Sequence, residues 1–394
     1  MNILLQLSHP AHFHYYHYAM LNWMEHGHKV IVVIKTKDIL EQLVKDSGIP
    51  YYNINDKAHR GSKLGVLWDM IVRDWQILKI CIREKINLLT GSSAEVAHIA
   101  WLLRKWGVCT GEDDAKVIPN YVKCTAPFLY ENCIRLCPTV CGSERMEKYT
   151  VRYPSYHELA YLHPNHFTAD KAIVEGYGID TSKPYFILRF ASLNAHHDDG
   201  IKGINTEVAQ NLVDILAPHG QIYITSEREL EPQFEPYRIR INPLDMHHVM
   251  AFASLYIGDS QTMAAEAGVL GTPFVRLNDF VGRLSYIHEL EAPTDYTPRT
   301  NGYVPFVDKH VPEDTHYCLG YGHKTADVEG FYRSIEKWLA EPNRKSICAT
   351  RREQMLSEKI DYAKFLTWFI EEYPQSAQET RDNQHTPDFW AQFK

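Results

Sequence analysis

An α/β fold built from two Rossmann-like domains is predicted by three features of the 394-residue sequence. Short apolar strands alternate with helices in the first half, and the alternation begins again near residue 185. This succession favours parallel, doubly wound sheets. The chain is also too long for one ordinary core. We therefore expect domains at 1–160 and 168–345 with an interdomain cleft facing the carboxyl ends of their sheets, and at 346–394 a closing helix that packs back, followed by a polar tail.

In the first half, apolar runs predict strands and periodic segments predict helices. The strands are expected at 3–7, 29–34, 50–54 and 88–90, with short ones near Val108 and Val117, and the helices at 14–26, 39–46, 63–84 and 94–105. Gly27 stands where a helix C-terminal cap is expected. Pro138 is interpreted as interrupting a helix in the cysteine-bearing stretch, and 152–167 as a linker.

The second half repeats the pattern. Strands are expected at 185–190, 221–225, 238–241, 255–257 and 274–277, and closing helices at 328–339 and 360–373. Residues 293–324 are rich in Pro, Gly, Tyr and Thr without periodicity, which is typical of a functional loop or lid. Beyond Pro374 the sequence turns polar, and we expect a mobile tail until Phe389 and Trp390 dock.

The composition narrows the class of protein. Hydrophobic residues make up 45% and charged residues 23%, as in globular proteins, and the formal net charge is −8. No block of lysine and arginine predicts a nucleic-acid partner. No stretch approaches the roughly 18 to 20 apolar residues that span a bilayer. With no signal-peptide pattern and eight cysteines, we expect reduced thiols and a cytoplasmic location, with peripheral membrane contact as an option.

The most informative segment is the turn after the strand at 255–257. Gly258 allows close approach of the backbone, and a small-residue helix follows, whose first N–H groups lack intrahelical partners and carry the positive end of the helix dipole. A phosphate group fits there, with the hydroxyls of Ser260 and Thr262 as further donors. Glu266, one turn later, is placed to accept ribose hydroxyls. The alternative is an ordinary N-cap and a surface carboxylate.

Histidines follow the first strand. His9, His12 and His14 are expected on the loop at the carboxyl edge of the sheet. An imidazole there suits a general base, because its ordinary pKa lies near working pH. The alternative is a histidine that caps a helix or packs among aromatic rings.

Acidic residues follow the strand near Val108. Glu112, Asp113 and Asp114 could transfer protons, with one pKa raised by its neighbours, or form a solvated turn. The cysteines at 133, 137 and 141 have four-residue spacing, whereas zinc pairs favour a two-residue gap. Buried thiols are therefore favoured over a metal site.

The second half offers further ligand contacts at strand ends. Arg189 could neutralise a diphosphate. The run of residues 196–199, with His196 and His197, could contact a sugar or ligate a metal, but no further ligands are evident. The remaining candidates at strand or helix ends are Glu227, His247, His248, Asp259, Gln261 and Arg283. Asp245 is expected to cap the helix that carries His247 and His248, one of which would face the cleft. The alternative for Arg283 is a surface salt bridge.

Five segments resemble an uncharacterised GT-B-like family, a domain of unknown function in bacterial and archaeal proteins. They are SHPAHFHYYHYAML, KYTVRYPSYHELAYLHP, ILRFASLNAHHDDGIKGI, DMHHVMAFASLYIGDSQTMAAEAGVLGTPF and FVGRLSYIHELE. The resemblance covers roughly residues 1 to 290 and the closing helix. It implies a GT-B-like fold and kinship with nucleotide-sugar glycosyltransferases and UDP-N-acetylglucosamine 2-epimerases.

The resemblance also implies residue roles. Similarity to the glycosyltransferases places the base at His12, the diphosphate at Ser260, Gln261 and Thr262, and the ribose at Glu266. Similarity to the epimerases places a proton-transfer carboxylate at Asp113. Two departures weaken the epimerase assignment: Gln261 replaces the glycine usual in the epimerase turn, and the epimerase His-Arg run appears here as the run 196–199.

The sequence thus predicts a metal-independent glycosyltransferase for surface polysaccharide or glycoconjugate assembly. Its substrates would be a nucleotide sugar, with UDP as the expected nucleotide, and a sugar or lipid-linked acceptor, and no cofactor is expected. The alternatives are a sugar-nucleotide 2-epimerase or hydrolase, with Asp113 and His196 as acid and base, and a non-catalytic sugar-nucleotide-binding protein.

Overall fold

The structure is a computed structural model that describes residues 1–35, 40–54, 63–191, 203–293 and 316–394. These residues divide into two compact units, the first formed by 1–166 and 359–394 and the second by 167–358. Each unit contains a parallel sheet with helices around it. The predicted α/β class with two parallel sheets is confirmed.

The first unit is built on a seven-stranded parallel sheet. Its strands are β1 (Asn2–Leu7), β2 (Lys29–Ile34), β3 (Tyr51–Asn53), β4 (Leu88–Gly91), β5 (Trp106–Thr110), β6 (Cys133–Pro138) and β7 (Thr150–Tyr153). They lie in the order β3-β2-β1-β4-β5-β6-β7. Successive strands are added on one side of β1 up to β3 and on the other side from β4 onward, so the strand order reverses between β1 and β4. Open α/β sheets bind ligands at the carboxyl ends of the strands at such a point.

Five helices accompany the first six strands. They are α1 (Pro10–Glu25), α2 (Leu40–Asp46), α3 (Lys63–Arg83), α4 (Ala94–Leu103) and α5 (Pro119–Thr125). Helix α1 begins where His9 accepts a hydrogen bond from the Ala11 N–H at 3.2 Å and Pro10 opens the first turn. It is followed by Gly27 at φ +82°, the left-handed conformation predicted for the cap.

The second unit contains a five-stranded parallel sheet in the order β12-β11-β10-β8-β9. Its strands are β8 (Tyr185–Phe190), β9 (Gln221–Ser226), β10 (Leu255–Gly258), β11 (Phe274–Leu277) and β12 (Gly320–His323). Its helices are α6 (Lys171–Gly176), α7 (Thr206–Leu216), α8 (Met246–Phe252), α9 (Gln261–Val269), α10 (Ser285–Leu290), α11 (Val328–Ala340) and α12 (Arg344–Glu358). The switch of strand order here lies between β8 and β10.

The chain returns to the first unit through α13 (Tyr362–Glu371), α14 (Gln375–Asn383) and α15 (Pro387–Ala391). Helix α13 packs on α1, where the hydroxyls of Tyr15 and Tyr362 share a hydrogen bond. The polar stretch after Pro374 forms the helix α14, and the Ser376 hydroxyl donates to the Phe369 carbonyl at 2.6 Å where the chain turns into it.

Three other element predictions are corrected. Val117 lies in a turn rather than a strand, and at 238–241 a single bridge joins Arg238 to Ile224. The cysteine-bearing stretch contains the buried strand β6 rather than a helix. The expected linker contains β7 and a 3-10 helix, His157–Ala160, both buried. The expected loop at 293–324 ends in β12, and its residues 294–315 lie outside the described part of the chain.

Within the described ranges, none of the helices combines the length and the apolar composition needed to cross a bilayer.

Candidate active site

The first unit gathers titratable side chains at the carboxyl ends of β1 and β5. His9 and His12 follow β1, and their ring centroids are 6.0 Å apart. The Nδ1 atom of His12 lies 3.3 Å from both the backbone N and the Oγ of Ser8. The ring is thereby held at the start of α1, partly exposed. His14, the third predicted histidine, packs its ring 5.4 Å from that of Tyr161.

Glu112 and His157 form the centre of this cluster. The His157 Nδ1 atom lies 2.5 Å from a Glu112 carboxylate oxygen and 3.2 Å from one of Glu158. The His157 and Glu158 side chains are almost fully buried, whereas the Glu112 side chain is 29% exposed. The cluster therefore extends from the interior to a surface that solvent reaches.

The neighbouring histidines change the pKa of Glu112. Burial raises the pKa of Glu112, but the imidazole of His157 and then those of His12 and His9 outweigh burial and hold the pKa below its usual range. Glu112 is therefore an anion close to the two histidines that follow β1. A carboxylate in this position favours and orients an imidazolium.

Asp113 differs from the neighbouring Glu112 in the direction of its pKa shift. Burial and the Glu112 carboxylate raise the pKa of Asp113 to about 7, although His157 acts in the opposite direction. Two adjacent carboxyl groups with separated pKa values can hold and release a proton near neutral pH. The sequence-based expectation of one raised pKa in this acidic run agrees with this arrangement.

Buried polar contacts fix the acidic turn. The Arg135 guanidinium donates to the Asp113 carbonyl at 2.7 Å, and the Cys141 thiol donates to the Glu112 carbonyl at 2.7 Å. The Asp114 carboxylate accepts from the Gly142 N–H at 2.8 Å. Asp114 and Cys141, which follows β6, thus support the turn, and sequence reasoning missed this role.

Stability should fall as the pH rises through the titration of His157. Burial lowers its pKa, but the carboxylates of Glu112 and Glu158 outweigh burial and raise the pKa from 6.5 to about 9. The folded state therefore keeps a proton that the unfolded chain releases. The resulting stabilisation is complete below pH 6.5, is lost as the pH passes 9, and amounts to about 3 kcal/mol.

Urea unfolding between pH 6.5 and 9 measures this loss. Because Asp113 is coupled to the same imidazole, the comparison is Asp113→Asn against Asp113→Asn/His157→Gln. We expect the free energy of unfolding to decline less steeply with pH in the double variant. Equal slopes would show that His157 is not held as a cation.

In the second unit, the turn predicted to bind a phosphate group lies at the start of α9. The Ser260 hydroxyl caps the helix by accepting from the Met263 N–H at 3.4 Å. A Cβ atom on Gly258 would lie 2.6 Å from the Tyr256 hydroxyl and 2.9 Å from the Arg189 backbone oxygen. Only glycine fits at this position, so the chain can turn closely over the end of β8.

A buried arginine anchors the first residue of α9. Arg276 is fully buried and binds Glu291 through two contacts, Nε to Oε1 at 2.5 Å and Nη2 to Oε2 at 3.2 Å. Its third nitrogen, Nη1, donates to the Gln261 side-chain oxygen. The buried guanidinium of Arg276 thus holds the Gln261 side chain in place. The neighbouring Thr262 is partly exposed.

Glu266 and His247 form a buried pair. The His247 Nε2 atom lies 3.0 Å from a Glu266 carboxylate oxygen, and both side chains are about nine-tenths buried. The two residues come from α9 and α8. The predicted ribose-binding carboxylate therefore has a fixed orientation, which helps a hydrogen-bonding group to bind a ligand.

Some of the other predicted residues of this unit lie at the surface, and others lie outside the described part of the chain. Arg189 is ion-paired with Glu227, whose side chain is 45% exposed, and the Arg283 guanidinium lies over the Phe280 ring at 5.5 Å. These groups reach the surface. His196 and His197, with the rest of the run 196–199, lie outside the described residues.

Two other predicted residues, Asp259 and His248, bond the backbone of the second unit. The Asp259 carboxylate is 1% exposed and accepts from the Ala191 and Ile204 N–H groups at 2.6 and 3.1 Å. The His248 Nδ1 atom accepts from the Asp170 N–H at 3.0 Å. Both side chains thus hold the backbone of their own unit.

In the ranges that the structure describes, no group of three or more His, Cys, Asp or Glu residues is arranged to hold a metal ion.

Comparison with known proteins gives the fold. No family model matches the sequence, and no curated protein matches it. A UDP-GlcNAc 2-epimerase from Neisseria meningitidis bound to UDP-GlcNAc is similar with a TM-score of 0.61 at 12% identity, covering 94% of this chain and 99% of that one.

Two glycosyltransferases are also similar. The spinosyn forosaminyltransferase SpnP has a TM-score of 0.60 at 12% identity, covering 96% of this chain and 99% of that one. The spinosyn rhamnosyltransferase SpnG, complexed with spinosyn aglycone, has a TM-score of 0.55 at 13% identity, covering 94% and 99%. At these identities the likeness shows a GT-B-like fold, as the sequence resemblance implied.

Proposed function

We propose that this protein is a glycosyltransferase that moves a sugar from a nucleoside diphosphate to an acceptor hydroxyl. The observation that carries the proposal is that one unit contains a candidate base and the other contains a candidate diphosphate site. The first unit places His12 near the anionic Glu112 at a sheet edge, and the second places a capped helix N-terminus over its strand ends. Proton transfer and diphosphate stabilisation are the two requirements of sugar transfer.

His12 is proposed as the general base. It takes the proton of the acceptor hydroxyl as the oxygen forms a bond to the anomeric carbon. The bond from that carbon to the phosphate oxygen breaks, and the nucleoside diphosphate leaves with the electron pair. Glu112 stabilises the imidazolium that results.

The second unit is proposed to hold the nucleotide. The first N–H groups of α9, together with the hydroxyls of Ser260 and Thr262, would bind the diphosphate, and Arg189 and Arg283 would add positive charge. Glu266, oriented by His247, would accept the ribose hydroxyls. This assignment places the charge compensation on the helix dipole and arginine, and it requires no metal ion or other cofactor.

A second candidate is a sugar-nucleotide 2-epimerase or hydrolase. The specific observation in its favour is Asp113, whose raised pKa of about 7 lets one carboxyl group accept and return a proton. A glycosyltransferase needs one base, whereas epimerisation needs proton removal and return. His196 is the proposed partner of Asp113 in that reaction.

Incubation with UDP-sugars and thymidine-diphosphate sugars distinguishes these candidates. Transfer that requires a sugar or lipid-linked acceptor supports the proposal. An epimer or free UDP formed from UDP-N-acetylglucosamine without acceptor supports the second candidate. Nucleotide binding measured by calorimetry with no turnover of any donor contradicts both and indicates a sugar-nucleotide-binding protein. Assembly of surface polysaccharide or glycoconjugate in the cytoplasm remains the proposed setting.

A further inference from the structure

Helix α3 of the first unit presents apolar side chains to solvent. Leu67, Ile71 and Trp75 follow one another at four-residue intervals, so they lie on one face of the helix. Trp75 is 56% exposed and Trp68 is 54% exposed, and Ile82 near the helix end is 63% exposed. A helix on the surface of a globular protein ordinarily turns its polar face to water.

Two charged side chains of α3, Arg73 and Asp74, are directed to the neighbouring helix α4. Arg73 Nε lies 2.5 Å from a Glu95 oxygen, and the His98 ring pairs with Asp74 at 2.9 Å. These ion pairs join α3 to α4. The inner face of α3 is also apolar, with Ile77, Ile80 and Cys81 buried in the core. Because both faces carry apolar side chains, the exposed face of α3 indicates that an apolar medium covers it.

Helix α4 adds apolar side chains at its end. Trp101 and Leu102 are both exposed, at 39% and 54%. We call these two residues and the exposed side chains of α3 (Val66, Leu67, Trp68, Ile71, Val72, Trp75 and Ile82) the α3–α4 surface. Groups of exposed apolar residues of this kind mark protein or membrane contacts.

Cations accompany the tryptophans. The Lys79 ammonium lies 5.1 Å from the centre of the Trp75 ring, and the Arg104 guanidinium lies 5.2 Å from that of Trp101. The nearby carboxylates of Asp74, Glu84 and Glu95 are each ion-paired. A basic apolar surface on a chain of net charge −8 selects an anionic partner.

We propose that the α3–α4 surface binds the surface of an anionic lipid membrane. Tryptophan prefers the level of the headgroups, the aliphatic side chains enter the acyl boundary, and Lys79 and Arg104 meet lipid phosphates. A second copy of the chain is disfavoured, because a two-fold contact through this face would bring its cations toward each other. The proposal does not depend on the chemistry proposed above.

Vesicle flotation tests the proposal with the full-length chain. We expect binding to phosphatidylcholine vesicles containing about one third phosphatidylglycerol, and weaker binding to pure phosphatidylcholine. Trp68→Ser/Trp75→Ser should reduce partitioning to the anionic vesicles at least about tenfold. Lys79→Gln/Arg104→Gln should remove the preference for phosphatidylglycerol. The control Leu244→Ser, an equally exposed apolar residue of the second unit, should bind as wild type does.

Two measurements keep the result decisive. If the tryptophan variant does not fold, quenching of wild-type tryptophan fluorescence by brominated phosphatidylglycerol replaces it, and no quenching overturns the proposal. Light scattering after size exclusion gives the oligomeric state. Failure of wild-type protein to float overturns the proposal, and a dimer that the tryptophan substitutions dissociate then assigns the surface to a second copy.

Discussion

Replacing His12 with alanine is expected to lower the rate of sugar transfer by about a hundredfold to ten-thousandfold, the usual contribution of a general base. The affinity for UDP should change little, because the ring lies on the first unit whereas the proposed nucleotide contacts lie on the second. The measurements are initial rates with a donor and acceptor that turn over, and UDP binding by calorimetry. His26→Ala, at the exposed end of the same helix, is the matched control and should keep wild-type activity.

Glu266→Ala should show the opposite pattern. Loss of a carboxylate that accepts ribose hydroxyls should weaken UDP binding by about tenfold to a hundredfold, the range for hydrogen bonds to a charged group. Glu175→Ala removes an exposed carboxylate from the same unit and serves as control. If the His12 variant loses UDP affinity, or the Glu266 variant keeps it, the proposed division of roles is wrong.

The strands of both sheets were largely predictable from sequence because they are buried runs of β-branched and aliphatic residues. KVIVVI at Lys29–Ile34 and YFILRF at Tyr185–Phe190 have the predicted bounds. Parallel strands covered on both faces lose the alternation of polar and apolar residues, so a continuous apolar run is their signal. Their carboxyl ends then place the histidines after β1 and the acidic residues after β5 at one edge.

Strand β12 was missed for a physical reason. Two of its four residues, GYGH, are glycine, which weakens any strand prediction. A Cβ on Gly320 would lie 2.4 Å from the Phe274 ring, and one on Gly322 would lie 2.2 Å from the Glu291 carboxylate. The glycines are present because a core ring and a buried ion pair occupy the space. Tertiary contacts of this kind leave no local pattern.

The candidate site was predicted in part. His12 and Asp113 stand out because each follows a strand, but His157 lies in a stretch without periodicity that suggested a linker. That stretch is buried on all sides, so neither helical nor strand spacing appears in it. The sequence could have indicated it through its own composition, since YPSYHELAYL is too apolar for an exposed connection.

Substituting Arg276 with methionine is expected to destabilise the protein by about 3–5 kcal/mol. The change leaves the Glu291 carboxylate, which is 3% exposed, without its cation in the interior. The control is Arg238→Met, which removes a partly exposed arginine bound to Glu235 and should destabilise the protein much less than the change at Arg276. Urea unfolding of both variants measures the difference, and equal costs would contradict the burial argument.

The double variant Arg276→Met/Glu291→Leu separates stability from ligand binding. Replacing both charges with apolar side chains removes the buried unpaired carboxylate, so its free energy of unfolding should return to within about 2 kcal/mol of wild type. Gln261 would still lack the guanidinium that holds its side-chain oxygen at the start of α9. We therefore expect this stable double variant to bind UDP more weakly than wild type does. Full recovery of UDP affinity would show that Arg276 serves the fold of the second unit and does not position the proposed diphosphate site.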